Sequence, residues 1–463
     1  VRTPRMFRST RTVTAARRPK RTGLLLGGAV AGLAALALSA CAGPAVGAAS
    51  TPKASASSID WSAVTPATSI TFWSNHPGKS QDTEQAVIDA FTAKTGIAVN
   101  LVTAGASYDE VAQRFQAASQ TKDVPDVVIA SDVWWFRYHL NNQIIPVDDI
   151  LKAVGSDTSD YVPALYGDYE YDGQHWAVPF ARSTPLFYYN KDMWAAAGLP
   201  DKGPSSWAQL ADWSSKLKGQ VPSNGAAMGL STGPSWGAWW LENFVWGQGG
   251  QYSDKFDLAP LTNDATVAGV QQLKDLVSSG TIAISKDSVA DFTAGAVAST
   301  IGSTGSLAGV LKSAKFSVGT AYLPDGPKGS GTPTGGTGVA IAAASDKPHQ
   351  LAAAMFVDFL TNTANTATFS QATGYMPVRT SAVESDTMKA VYAKTPQFRT
   401  AVDQLADKAR SQDDVRVFVP GADAILNSAL EQVLLQNADP KAALQQITPQ
   451  LQTAYNENVE PYL

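Results

Sequence analysis

Two overlapping Gly-x-Ser-x-Gly patterns sit in GLSTGPSWG, centred on Ser231 and Ser235. At that spacing a serine on a sharp strand-to-helix turn becomes a nucleophile, provided an acid and then a histidine follow to activate it. Only His349 follows, and Lys347-Pro348-His349 reads as the start of a helix. The doubled pattern is therefore read as the composition of a Gly- and Ser-rich loop, and a secreted serine hydrolase using Ser235 stands as the remote alternative. His76, His139, His175 and His349 form no HxH or HExxH pair, so no metal site is expected. Gly78-Lys79-Ser80 ends like a phosphate-cradling loop, but the position of that motif's first glycine holds Trp73. The expectation is a chain with no catalytic residue, no cofactor and no metal.

The single cysteine, Cys41, closes the stretch LALSAC. Before it come eight cations and no acid, then the apolar run GLLLGGAVAGLAALALSA. A basic flank, an apolar core and small residues at the cut are the layout of a secretory signal. Leu38-Ser39-Ala40-Cys41 resembles the bacterial lipobox, whose cysteine is lipidated and becomes the first mature residue. Cys41 then serves as an anchor thiol, and the alternative is a retained membrane helix. Removing the eight cations from 35 Lys and Arg leaves 27 against 40 Asp and Glu, a balance of −13. So acidic a surface repels nucleic acid, and no nucleic-acid partner is expected.

The rest must position whatever chemistry remains. Residues 42 to 67, rich in Ala, Ser, Thr and Pro, read as a flexible tether reaching about 25–30 Å. SITFW, IAVNLV and DVVIA read as strands, separated by helices that start at Asp82-Thr83-Glu84-Gln85 and Ser107-Tyr108-Asp109-Glu110, each resembling a capping box. This β-α-β-α-β order implies a parallel sheet covered by helices. A second α/β pattern begins at STPLFYYN, read as one strand, and the chain is mostly helical from Lys347. Ligands bind beyond the carboxyl ends of such strands, where Ser74-Asn75, Ala106-Ser107-Tyr108 and Ser131-Asp132 fall. Trp236, Trp239-Trp240 and Trp246 are dense enough that some could line a cleft.

STPLFYYNKDMWAAAGLP, SSWAQLADW, WWLENF, GSTGSLAGV and TGYMPVRTSA resemble, in order, the extracellular solute-binding proteins of ABC importers. LENF, GSLA and TGYMP are most similar to that superfamily's glycerol-3-phosphate-binding branch. The resemblance implies an α/β, periplasmic-binding-protein-like fold of two lobes, a hinge and a helical C-terminal tail. With the signal read at 1–40 and the lipid-anchored linker at 41–66, one lobe is expected from 67–180 with 317–365, and another from 181–316 with 366–463. The family's ligand contacts fall on Tyr108, Asp132 (glutamate in that branch), Ser183, Ser306, the backbone of Gly336, Tyr375 and Arg416. The family's pocket tryptophan falls on Trp239 or Trp240, the register being ambiguous.

On that resemblance the chain is a receptor, not an enzyme. It would capture glycerol-3-phosphate or a glycerophosphodiester such as glycerophosphocholine by lobe closure and pass it to its permease. Its place would be outside the cell membrane, held by a lipid anchor only, as a monomer. A carbohydrate-binding receptor of a sugar importer is the main alternative. A purely structural surface lipoprotein would leave the seven contact positions unexplained.

Overall fold

Ser69–Ser74 alternates exposed and buried positions before Phe72, Trp73 and Ser74 all turn inward. Val127–Ser131 is buried throughout, as a strand covered on both faces must be. These strands belong to a computed structural model that describes residues 59–76, 79–119, 121, 123–233 and 236–463. The expected signal, Cys41, most of the tether, Gly78 and Ser235 lie outside the described residues. Trp61 is buried within the short turn Trp61–Ala63, and the Ala67 amide donates to the Pro348 carbonyl at 2.9 Å. The chain is therefore already docked at Trp61, earlier than the linker expected to reach 66.

The first sheet has the order Ala98–Thr103, Ser69–Ser74, Val127–Ser131, Gly335–Ile341, Val178–Ser183. Its first three strands are parallel, and Gly335–Ile341 runs antiparallel to both neighbours. The second sheet has the order Val318–Ala321, Pro185–Asn190, Ser299–Ser303, Met228–Ser231, Ile282–Ser285. STPLFYYN is thus not one strand. Val178–Ser183 ends in the first sheet and Pro185–Asn190 begins the second, with Thr184 as the crossing. Val318–Ala321 pairs with Pro185–Asn190, so the return crossing falls beyond it rather than at 317.

The crossings are tied together. Thr184 Oγ1 lies 3.0 Å from Thr332 Oγ1 and donates to the Pro333 carbonyl at 2.9 Å. Gln404, fully buried, donates to the Pro185 carbonyl at 2.9 Å and accepts from the Leu323 amide at 2.6 Å. A buried carboxamide with both ends satisfied fixes geometry at small energetic cost.

Local sequence accounts for several helix starts. Ser107 Oγ accepts from the Glu110 amide at 3.2 Å, and Glu110 Oε2 accepts from the Ala106 amide at 2.7 Å. This reciprocal pair fixes where Tyr108–Ala118 begins. The other expected box fails, because Lys79–Thr95 starts earlier and places Asp82 inside its first turn. No described helix is long and apolar enough to cross a membrane.

Candidate ligand-binding site

Tyr108, Asp132, Ser183, Trp239, Ser306, Gly336, Tyr375 and Arg416 line one cavity of about 380 Å³. That volume lies within the ~300–1,000 Å³ range of small-molecule sites. Tyr108, Asp132, Ser183 and Ser306 lie at or just beyond the carboxyl ends of strands in both sheets, Gly336 starts Gly335–Ile341, Trp239 lies on Gly237–Gly247, and Tyr375 and Arg416 come from the C-terminal helical region. Asn75, Ser107, Asp109, Trp236, Ser303 and Asp423 complete much of the wall.

Helix geometry sends the neighbouring tryptophans in different directions. Trp236 and Trp239, three apart at the start of Gly237–Gly247, meet edge-to-face at 5.7 Å in the cavity wall. Trp239 Nε1 donates to the Thr334 carbonyl at 2.8 Å, which fixes its plane. Trp240 turns into the core and donates from Nε1 to the Ser231 carbonyl at 3.3 Å, so it is not a wall residue.

Gly335 and Gly336 make this wall possible. A Cβ on Gly335 would sit 2.7 Å from Trp239 Cζ2. Gly336 has φ +98°, and a Cβ there would sit 2.2 Å from the Ala181 carbonyl oxygen. Its own carbonyl accepts from the Asp132 amide at 3.1 Å, joining two wall residues. Gly336→Ala is expected to cost about 2 kcal/mol of stability, read by denaturant unfolding; an unchanged midpoint would contradict the strain argument.

Arg416 is buried, and its charge is answered from several elements. Its Nη1 donates to Gln412 Oε1 and lies 3.8 Å from Asp132 Oδ2. Gln412 in turn donates to Asp132 Oδ2 at 3.0 Å. Arg416 Nε approaches Asp423 Oδ1 to 2.9 Å, yet neither atom has an aligned hydrogen bond, so this contact is a charge pair. Against burial, Asp423, Glu242 and Asp132 hold the guanidinium above its ordinary pKa. Burial pushes Asp423 up to about 6 despite Arg416, and raises Glu242 well above the usual carboxylate range. Glu242 Oε1 accepts from the Asp413 amide at 3.1 Å, so the glutamate of LENF steadies the segment carrying Arg416.

Behind the wall, Arg182 is fully buried, paired with Asp168 and donating to Tyr169 Oη at 2.8 Å. Asp168 also accepts from Thr334 Oγ1 at 2.5 Å. Tyr108 and Tyr375 both line the cavity, and burial raises both phenols. The assembly offers one forked cation, several hydroxyls and an acceptor carboxylate, a set suited to a small anion bearing hydroxyls.

Sequence reasoning missed Asp423, seven residues beyond Arg416, and Arg182, next to Ser183; it quoted Glu242 only as part of LENF and gave it no role. The serine-nucleophile alternative gains nothing from the described residues. Ser231 Oγ accepts from the Ser288 amide at 2.6 Å, and His349 is held by Asp346 at the head of Lys347–Leu360. Among the described residues no cluster of His, Cys, Asp or Glu is arranged to hold a metal ion.

Known proteins are similar to this chain in sequence and fold. UgpB of Shigella flexneri serotype 5b and of Escherichia coli K12 are sn-glycerol-3-phosphate-binding periplasmic proteins. Each is 29% identical over 361 residues, covering 74% of this chain and 81% of theirs. The crystal structure of UgpB from Mycobacterium tuberculosis in complex with glycerophosphocholine matches at TM-score 0.80 and 43% identity, over 85% of this chain and 100% of that one. The GacH receptor of Streptomyces glaucescens, solved unliganded and with acarbose, matches at TM-score 0.72 and 22% identity, over 83% and 98%. These matches bear out the two-lobe, periplasmic-binding-protein-like α/β architecture. The model of one family, the bacterial extracellular solute-binding proteins, matches residues 86–400, and the chain belongs to that family.

Proposed function

We propose that this chain is the substrate-binding receptor of an ABC importer that captures glycerol-3-phosphate or, preferentially, glycerophosphodiesters such as glycerophosphocholine. The observation that carries this reading is Arg416 facing the same cavity as Asp132 and the hydroxyls of Tyr108, Ser183, Ser306 and Tyr375. A guanidinium forks onto phosphate oxygens, the hydroxyls supply neutral donors, and Asp132 accepts from the glycerol hydroxyls. The relative crystallised with glycerophosphocholine, at 43% identity, supports the same ligand class. Ligand touching residues from both sheets favours the closed form through its differential contacts, and the permease would read that form. The ligand leaves unchanged, so the chain acts as a binder rather than an enzyme. Cys41 would carry the lipid that holds the receptor, as a monomer, outside the membrane.

Trp236 and Trp239 also suit a sugar face, which keeps a carbohydrate receptor as the second reading. A thermal-shift screen of the purified protein separates them. Ligand at about 100 times its Kd adds ~2.7 kcal/mol to stability. Glycerophosphocholine and glycerol-3-phosphate are expected to raise the melting temperature, and maltose and trehalose to leave it unmoved. A rise with the sugars alone would overturn the phosphate reading.

A further inference from the structure

Arg416 does not meet its ligand as a bare cation. Asp423 Oδ1 stands 2.9 Å from Nε, Asp132 Oδ2 stands 3.8 Å from Nη1, and Glu242 acts on the same guanidinium through its charge. Asp132 has a neutral donor of its own in Gln412. Asp423 differs: it lines the cavity, it is 7% exposed, and neither carboxylate oxygen has an aligned donor among the described residues. Among the described residues, Arg416 is the one cation paired with it at close range. The other charged groups acting on Asp423 are Asp132 and Asp109, and Asp423 in turn acts on Glu242; all are acids.

We propose that Asp423 is a specificity-determining residue that selects ligands by phosphate charge, admitting the singly charged phosphodiester and disfavouring the doubly charged monoester. The inference rests on the glycerophosphate reading above. Its physics is simple. A fixed negative charge beside the anion site repels a dianion twice as strongly as a monoanion at the same place, and burial keeps that repulsion from being screened. A phosphate monoester is mostly dianionic above its second pKa of about 6. A diester keeps one charge at every working pH, and one with a cationic head is neutral overall. Asp423 acts on the phosphate through Arg416 and through space, without having to touch it.

The test measures Kd for glycerophosphocholine and glycerol-3-phosphate by calorimetry on the full chain, its Asp423→Asn variant and its Asp423→Ser variant, at pH 5 and pH 7.5. Wild type is expected to prefer the diester at pH 7.5. Both variants are expected to improve monoester binding relative to diester by roughly ten-fold or more at that pH. At pH 5, wild type and variants should converge, because the monoester then carries mostly one charge, as the diester does, and the Asp423 carboxyl, pushed up to about 6, is largely protonated. A purely structural role would weaken both ligands together and leave their ratio fixed. An unchanged ratio in both variants, with wild type still binding glycerophosphocholine, would overturn this inference alone. Wild type that binds neither phosphate compound would overturn the proposed function and this inference with it.

Discussion

Arg416→Ala is expected to weaken glycerophosphocholine binding by ~3 kcal/mol or more, about two orders of magnitude in Kd. The loss has two sources. The phosphate loses its forked, charge-assisted donor. The site also keeps Asp423, Asp132 and Glu242 without the guanidinium that balances them, so its field turns against any anion. Arg416→Lys retains the charge but not the fork, and should fall between wild type and alanine. Calorimetry on the three proteins reads this directly. Equal affinity in wild type and Arg416→Ala would remove Arg416 from the anion role and favour the carbohydrate reading.

The second large effect is a rise in stability on mild acidification. Burial pushes Asp413 and Asp423 each up to about 6, and Asp168, Glu242 and Asp414 are raised for the same reason. In the unfolded chain these carboxyls titrate near 4. Between about pH 4 and pH 6 the folded state therefore binds more protons than the unfolded one. The associated stability is complete at the acid end of that window and is lost as pH rises through it. Asp413 and Asp423 each account for roughly 2–3 kcal/mol. His139 opposes them, since burial lowers its pKa, but it is a single half-buried group. The melting temperature should be higher at pH 5 than at pH 7.5, and Asp413→Asn should flatten the slope. A melting temperature that falls between pH 7.5 and pH 5 would contradict this account.

Local chemistry was legible in the sequence. Ser107 and Glu110 close a reciprocal cap within four residues, so the start of Tyr108–Ala118 could be read from spacing alone. Long-range chemistry was not. STPLFYYN is buried without interruption, so nothing in its pattern marks Thr184 as the passage from one sheet to the other. Trp239 and Trp240 are equivalent in sequence, and only the packing of Gly237–Gly247 sends one to the cavity and the other to the core. Through the family resemblance, seven of the cavity-lining positions could be named in advance, Tyr108, Asp132, Ser183, Ser306, Gly336, Tyr375 and Arg416, whereas Asp423 in the same wall could not. Residues that hold them in place, Glu242 beneath Asp413 and Arg182 against Asp168, were not legible, because such partners meet only in the fold.

The paired glycines also bear on how this pocket can change over generations. Every other amino acid carries a Cβ, and at Gly335 or Gly336 that atom would strike the Trp239 ring or the Ala181 carbonyl. The floor of the cavity is therefore closed to single substitutions: widening it requires a coordinated change of glycine, tryptophan and strand together. Trp236, 40% exposed and held by no such clash, is open to one-step replacement. Descendants of this chain should diversify their ligands from the rim inward, altering what projects from the phosphate while the base stays ancestral.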